Sequence, residues 1–473
     1  MNKTYASLLL AMLSLCLPHS NVYAELKLPS GADRRPDLSL DPFERAREAM
    51  RKLPESDSQE EPEISPQKPV KDPEPEENQE EPEQEPESKS DSGDSAFSYE
   101  IALTLDAFSV TAGGVVEPNP NDIEQNSTGV FGTLDLSAEL DTSALNFWDD
   151  GLFFIYTSVI FGTAPAVGDL NGVSGIYGGG STMRIVEAWY EHSFPFSHSS
   201  VLFGLHDFNS EFYVAEYADL FLNGGFGMGQ PIGTHGNVST FPVPTLGLRF
   251  KSQLSEKAYL QMALYDGASS ETAYDKIIEV KPDKTEGVFT AGEAGAIKNE
   301  PGDTEGYYKV ALGFWYYRAD QVGFPNSNIG EDNETYLLED NPKPGTSGLY
   351  MLAETSIGKK LGLFFKHGRA RSDYNRYDQY YSAGLNFTGA IPGRDEDILG
   401  VGVIHTRHSD AFLEANPDQF FKAETAYEIT YSAIITNWLM IQPDFQYIQQ
   451  PNMTPADEQA NTAVIGIRAQ AIF

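Results

Sequence analysis

The chain has 473 residues, 70 acidic and 32 basic, for a formal charge of −38. That balance repels nucleic-acid phosphates, and the single cysteine, Cys16, excludes a disulfide framework. Outside the N-terminus no apolar run approaches the roughly 20 residues of a membrane helix. What remains is an acidic soluble protein or a transmembrane β-barrel, whose strands are apolar only at alternate positions.

Residues 1–24 read as a signal peptide: Lys3, then an apolar run from Leu8 to Leu17, then Val22-Tyr23-Ala24 before the expected cleavage. A lipoprotein signal ending at Cys16 is disfavoured by the bulky Leu15. Residues 25–54 predict a short periplasmic helical segment. Asp41 is placed as N-cap, Pro42 at the first helical position, and Phe43, Ala46, Met50 and Leu53 fall near one face. Residues 55–95 repeat Pro, Glu, Ser and Gln, with 16 acidic and 3 basic residues. Such a segment buries too little apolar surface to offset its ordering entropy, and predicts a disordered, extended linker. It carries −13 of the charge, and residues 96–473 carry −27.

From Phe97 the pattern has period two. Tyr99, Ile101, Leu103 and Leu105 alternate with Glu100, Ala102, Thr104 and Asp106. Leu134, Leu136, Ala138 and Leu140 alternate with Thr133, Asp135, Ser137 and Glu139. Later runs repeat it, down to Ile465, Ile467, Ala469, Ala471 and Phe473 against Arg468 and Gln470. Strict alternation means strands with one lipid face and one wet face. Fifteen such segments start near residues 97, 130, 151, 182, 200, 245, 257, 305, 347, 360, 379, 396, 423, 438 and 460. A sixteenth is expected in the Gly/Pro-rich stretches. Short links (193–199, 358–360, Asn437) alternate with long ones (207–244, 267–305, 319–346). The expectation is an all-β fold over 96–473: a transmembrane antiparallel β-barrel of about 16 strands behind a disordered acidic N-terminal extension. A barrel of that width holds an aqueous channel. The competing soluble β-sandwich does not account for the signal peptide or for a final amphipathic strand ending in an aromatic. Phe473 is the expected assembly signal.

Several stretches then resemble the OprB-type carbohydrate-selective porins. They are Glu187-Ala188-Trp189-Tyr190-Glu191, the run from Leu202 to Phe212, the run from Glu216 to Asn223, Phe241-Pro242, Tyr265-Asp266-Gly267, the run from Glu424 to Tyr431, and the run from Gln442 to Tyr447. The resemblance implies a 16-stranded barrel, monomeric or trimeric, passing small sugars by diffusion in the outer membrane of a Gram-negative-type bacterium. Three features depart from it: the acidic linker, the elaborated loop from Ala268 to Thr304, and Ala471 where porin C-terminal signals carry an aromatic.

A sugar path needs aromatic faces and planar polar groups. The loop from Asp207 to Pro244 is the candidate inward-folded constriction, with Asp207, Asn209, Glu211 and Phe212, and also Tyr217 and Asp219. Glu187, Trp189 and Glu191 share a parity and are expected to face the lumen, with Arg249 and Lys251 supplying opposing charge. The net −27 predicts a field favouring cations over anions.

No catalytic residue, metal site or cofactor is expected. Glu187 and Glu191 are spaced as a glycosidase pair, but inward acids are routine in such barrels. His405 and His408 are three apart on a strand, where i and i+3 face opposite ways. Gly178-Gly179-Gly180 precedes no helix and forms no phosphate cradle. Expected partners are small sugars as permeating solutes, outer-membrane lipid, the barrel assembly machinery, and other copies if trimeric. The alternative function is a structural barrel tethered through residues 25–95 to a periplasmic or cell-wall partner.

Overall fold

The computed structural model describes residues 96–473 except 116–126, 177–179, 234–237, 268–276, 279–286, 304–305, 322–326, 330–334, 338–342, 374 and 455–458. The expected signal peptide, helical segment and acidic linker lie outside the described residues.

The strands are β1 (Phe97–Val115), β2 (Thr128–Asp141), β3 (Gly151–Thr163), β4 (Thr182–Phe194), β5 (Ser199–His206), β6 (Thr245–Gln253), β7 (Ala258–Asp266), β8 (Val288–Lys298), β9 (Tyr308–Gln321), β10 (Ser327–Ile329), β11 (Thr335–Leu337), β12 (Lys343–Ile357), β13 (Leu361–Ala370), β14 (Tyr377–Thr388), β15 (Ile398–His408), β16 (Ala423–Thr436), β17 (Leu439–Gln449) and β18 (Gln459–Ile472). All but β10 and β11, which pair with each other, form one closed barrel of sixteen antiparallel strands. β1 closes it by pairing with both β2 and β18. Closure removes every edge, as a span through lipid requires.

The side-chain alternation sets the two faces. Leu105, Leu136, Leu312, Val401, Ile429, Ile465 and Ile467 are exposed on the outside, whereas Thr104, Asp106, Thr133, Asp135, Glu428 and Thr430 are buried within. The tight links 195–198, 254–257, 358–360 and 437–438 share one end with the start of β1 and the end of β18. The segments 164–181, 207–244 and 409–422 leave the other end. Aromatic side chains ring the short-link end: Phe97, Tyr99, Trp148, Phe153, Trp438 and Phe473 are exposed there. These are the short-turn and long-loop ends of an outer-membrane barrel with its interfacial girdle.

The fifteen expected strands are present, each starting within four residues of its expected position. The sixteenth is β8. It runs through the stretch expected as a single long link from 267 to 305, so that expectation is corrected to two links. Its outward residues Gly292, Ala294 and Ala296 carry no bulk, so the alternation is invisible in sequence. The cross-strand Phe314 ring covers Gly292 from β9, supplying the missing apolar surface.

The same device recurs inside. Phe108 lies over Gly466, Tyr350 over Gly313, Trp315 over Gly348 and Tyr259 over Gly295, each pair directly opposite on neighbouring strands. A Cβ at any of these glycines would overlap the ring. Large inward rings therefore lie flat along the wall rather than across the lumen.

The interior is not wet throughout, as the width alone suggests. Segments from 164–176 and 207–233 fold inward, and Phe208, Phe212, Phe221 and Phe226 pack with Tyr265, Phe289, Trp315 and Phe364 from the wall. Removing these rings from water is favourable by about 25 cal/mol per Å², so part of the lumen is a dry core.

Candidate functional site

The inward segment begins with a one-turn helix, Phe208–Glu211, capped by Asp207. Asp207 Oδ1 accepts from Asn209 N at 2.7 Å, and Oδ2 accepts from Phe241 N at 2.8 Å, so one carboxylate ties together both ends of the 207–244 loop. Burial pushes this carboxyl up to about 6. Glu187 on β4 then accepts from Asp207 N (2.8 Å) and from Ser210 Oγ (3.3 Å).

Phe212 is fully buried and stacks on Phe208, with centroids 5.0 Å apart at 13°. Asn209 is half-buried and donates to Phe212 O at 3.1 Å. Glu211 takes Arg249 Nη2 at 2.5 Å, and Arg249 Nη1 reaches Glu191 at 3.0 Å and Ser200 Oγ at 2.7 Å. Burial works to raise the Glu211 carboxyl, but the Arg249 and Lys251 charges outweigh it and hold it at about 2.

From Tyr213 onward the wall holds the segment by its backbone. Tyr213 sits at φ 63°, in the left-handed region that non-glycine residues rarely adopt, and its N–H donates to Glu293 Oε2 at 2.9 Å. Tyr217 N donates to Glu354 Oε2 at 3.1 Å. Leu222 N and Asn223 N donate to the two oxygens of Glu428 at 2.6 and 3.0 Å. Donors from the wall take the carbonyls. Lys366 Nζ reaches Phe226 O and Gly227 O, Gln442 reaches Leu220 O, Asn386 reaches Tyr217 O, and Gln261 reaches Glu211 O. Glu424 does the same for the second segment, accepting from Leu170 N at 2.9 Å. An irregular segment inside a barrel has no sheet to satisfy its amides, and an unmet buried amide is costly. Carboxylates on β4, β8 and β12, and two on β16, meet that need.

The structure places the expected residues as follows. Glu187, Trp189 and Glu191 do share the inward face of β4. A bulge at Val186 resets the parity there, since Tyr156 pairs with Glu187 but Thr157 with Ile185. Trp189 is buried and stacks on Phe154 at 4.9 Å. Arg249 and Lys251 face inward on β6, Arg249 buried and Lys251 half-buried. Asp207, Asn209, Glu211 and Phe212 lie on the inward segment. His408 points into the wall's interior and His405 outward, where its Nδ1 meets Thr425 Oγ1 at 2.9 Å. Sequence reasoning missed Glu293, Glu354, Glu424 and Lys366 as holding groups. Glu293, Glu354 and Lys366 are single inward charges on their strands and Glu424 shares β16 with Glu428; only the path of the loop reveals their use.

The end of the chain closes the barrel. Phe473 N donates to Ile101 O at 2.9 Å, and the Phe473 ring stacks on Trp438 at 6.0 Å.

A closed sixteen-stranded barrel with an inward loop held by wall carboxylates is the architecture of a porin. The pattern of the carbohydrate-selective porin, OprB family, matches residues 125–473. The chain belongs to that family. It is 24% identical over 349 residues to Porin B of Pseudomonas aeruginosa, which covers 65% of this chain and 72% of that one. The high-pH structure of Pseudomonas putida OprB superposes with a TM-score of 0.67 at 20% identity, over 80% of this chain and 94% of that one. The low-pH structure of the same protein gives 0.47 at 17% identity, over 80% and 93%. As an OprB-family porin barrel, the protein is an outer-membrane protein of the Gram-negative type.

Proposed function

We propose that this porin passes small saccharides by passive diffusion, through a path narrowed by residues 207–233. The observation that carries the reading is the inward loop, fixed by Glu187, Glu293, Glu354 and Glu428. A loop so fixed presents a constant opening, which a size-selective path needs. Within the expected set, Glu191, Asp207, Asn209, Glu211 and Lys251 are half-buried, and of these Glu191, Asn209 and Lys251 are the groups proposed to meet a solute. Glu187, Trp189, Asp207, Glu211, Phe212 and Arg249 shape the opening from behind. Tyr217, half-buried, and Asp219, exposed, add an aromatic face and a planar acceptor for a sugar ring. The charge of −27 over residues 96–473 adds a preference for cations over anions.

Planar-bilayer conductance under sugar titration, with liposome swelling across sugars of equal size, tests this. Conductance that falls as sugar is added, with unequal swelling rates, is expected. Absent conductance, or conductance indifferent to every sugar, refutes it.

A tethering role for residues 25–95 is the second reading. It is favoured by the position of Phe97 at the short-link end, the end that faces the periplasm in outer-membrane barrels. Deleting 25–95 should leave conductance unchanged and weaken the envelope. A normal envelope would refute it.

A further inference from the structure

The outer wall of the barrel is apolar along its middle, but one stretch of its long-loop rim is not. Among the described strand positions facing outward, arginine occurs only on β9, β13 and β15, as Arg318, Arg369 and Arg407, each near the long-loop end. Around the β1–β7 side of the same rim, the charged outward strand residue is an acid, Asp266.

The β13–β16 stretch is layered. Arg369, Gln379 and Arg407 stand side by side in register across β13, β14 and β15. Two residues deeper, about 6.6 Å along the strands, come His367, Tyr381, His405 and Thr425. Two deeper again come Phe365, Ala383, Val403 and Tyr427. The middle layer is ordered. Tyr381 stacks on His367 with centroids 4.4 Å apart at 20°, and its hydroxyl donates to Gln379 Oε1 at 3.1 Å.

The cations of the upper layer are only loosely neutralised. Arg369 is exposed and has no ion pair among the described residues. Arg407 approaches Asp378 and Asp410 no closer than 3.4 Å, and exposed Lys422 stands 3.8 Å from Asp410. These contacts are long for charge-assisted hydrogen bonds. The body carries −27, so cations gathered on its lipid-facing wall stand out against the charge of the rest.

We propose that this face holds a phosphorylated glycolipid of the outer leaflet. Its phosphate lies between Arg369 and Arg407, whose backbones stand two strand spacings, about 10 Å, apart. Its sugar lies against Tyr381, and its acyl chains run down over Phe365, Ala383, Val403 and Tyr427. The order of the layers matches the order of such a lipid from headgroup to tail. Arginine forks suit phosphate oxygens, and basic side chains at a membrane surface attract anionic headgroups.

The test uses the full chain purified in neutral detergent, with diphosphorylated lipid A as probe and native mass spectrometry reading bound lipid. Dephosphorylated lipid A and inorganic phosphate are the comparison ligands. Arg369→Gln and Arg407→Gln should each weaken retention about five-fold, and together about 30-fold. Arg369→Lys with Arg407→Lys should recover most of it. Lys298→Gln, facing outward at the opposite rim, should have no effect. Heat-modifiable migration on gels confirms that each variant is folded. Equal retention of dephosphorylated lipid A, equal occupancy by inorganic phosphate, or undiminished retention by the double glutamine variant overturns the proposal. So does a double variant that loses its oligomeric state while keeping its lipid, which would assign this face to a second copy.

Discussion

Glu428 is the strongest single hold on the inward loop, because one carboxylate takes two consecutive amides. Glu428→Ala would leave Leu222 N and Asn223 N, now bonded at 2.6 and 3.0 Å, buried without acceptors. Each orphaned amide costs about 1–3 kcal/mol, so the local loss is about 2–6 kcal/mol. Taking about 3 kcal/mol, the detached state of this part of the loop becomes about 100-fold more populated, at 1.4 kcal/mol per tenfold. Hydrogen exchange at Leu222 and Asn223 should accelerate by that factor. The barrel strands, held by their own ladders, should exchange as before. Single-channel conductance should rise and become noisier as the loop leaves the lumen. Glu428→Gln keeps one acceptor oxygen and should fall between the two. Exchange at residues 222 and 223 within a few-fold of the parent would refute the claim that Glu428 holds the loop. Accelerated exchange with unchanged conductance would refute the claim that the loop narrows the path.

Three further outcomes follow. The Glu211 carboxyl is held at about 2, below its ordinary 4.5, so its stabilising pair with Arg249 is complete above pH 4.5 and is lost as the pH falls towards 2. In Arg249→Leu burial dominates, Glu211 rises, and the acid-induced change in conductance should move to higher pH; an unmoved transition would refute the pairing. Gly313→Val places a side chain where the Tyr350 ring lies and pushes the Tyr350 hydroxyl from Glu293 Oε2, now 2.9 Å away. It should lower the barrel's unfolding free energy by about 1–3 kcal/mol, read by denaturant titration in detergent, and parental stability would show that the ring does not need the gap. Phe473→Ser removes the ring stacked on Trp438 but keeps the backbone bonds to Ile101. It should lower outer-membrane levels in cells while leaving in-vitro folding intact, and normal levels would remove Phe473 as the assembly signal.

The barrel was legible because lipid outside and water inside impose opposite demands on alternate residues. Where both demands are expressed, as in Ile465 to Phe473, the strand is plain. Where they are not, it disappears: β8 presents Gly292 and Ala294 to the lipid and relies on Phe314 of β9 for cover. No reading of β8 alone could supply that ring. The site was legible in part. Parity put Glu187, Trp189, Glu191 and Arg249 on the inner face, even though the bulge at Val186 resets the count. Burial was not legible, because it depends on where the loop runs. Phe212 reads as an aromatic available to a sugar, but it stacks on Phe208, and Tyr265 and Phe289 from distant strands join that pair in a dry cluster. Glu293 falls in the stretch expected as a link and Glu354 in an expected strand, and neither stands out, because the path of the loop that needs them is not written on their own segments.

The wall grips the inward loop in two ways, through its amides and carbonyls and through its packed and paired side chains. The backbone part of that grip is indifferent to which residue it holds. The side-chain part is not: Glu216 Oε1 meets Lys309 Nζ at 3.5 Å, the Tyr217 ring lies over Gly362, and Leu220 packs against Gly400. A change of residue at these positions therefore keeps the bonds to the amides and carbonyls but gives up the contact its side chain made with the barrel.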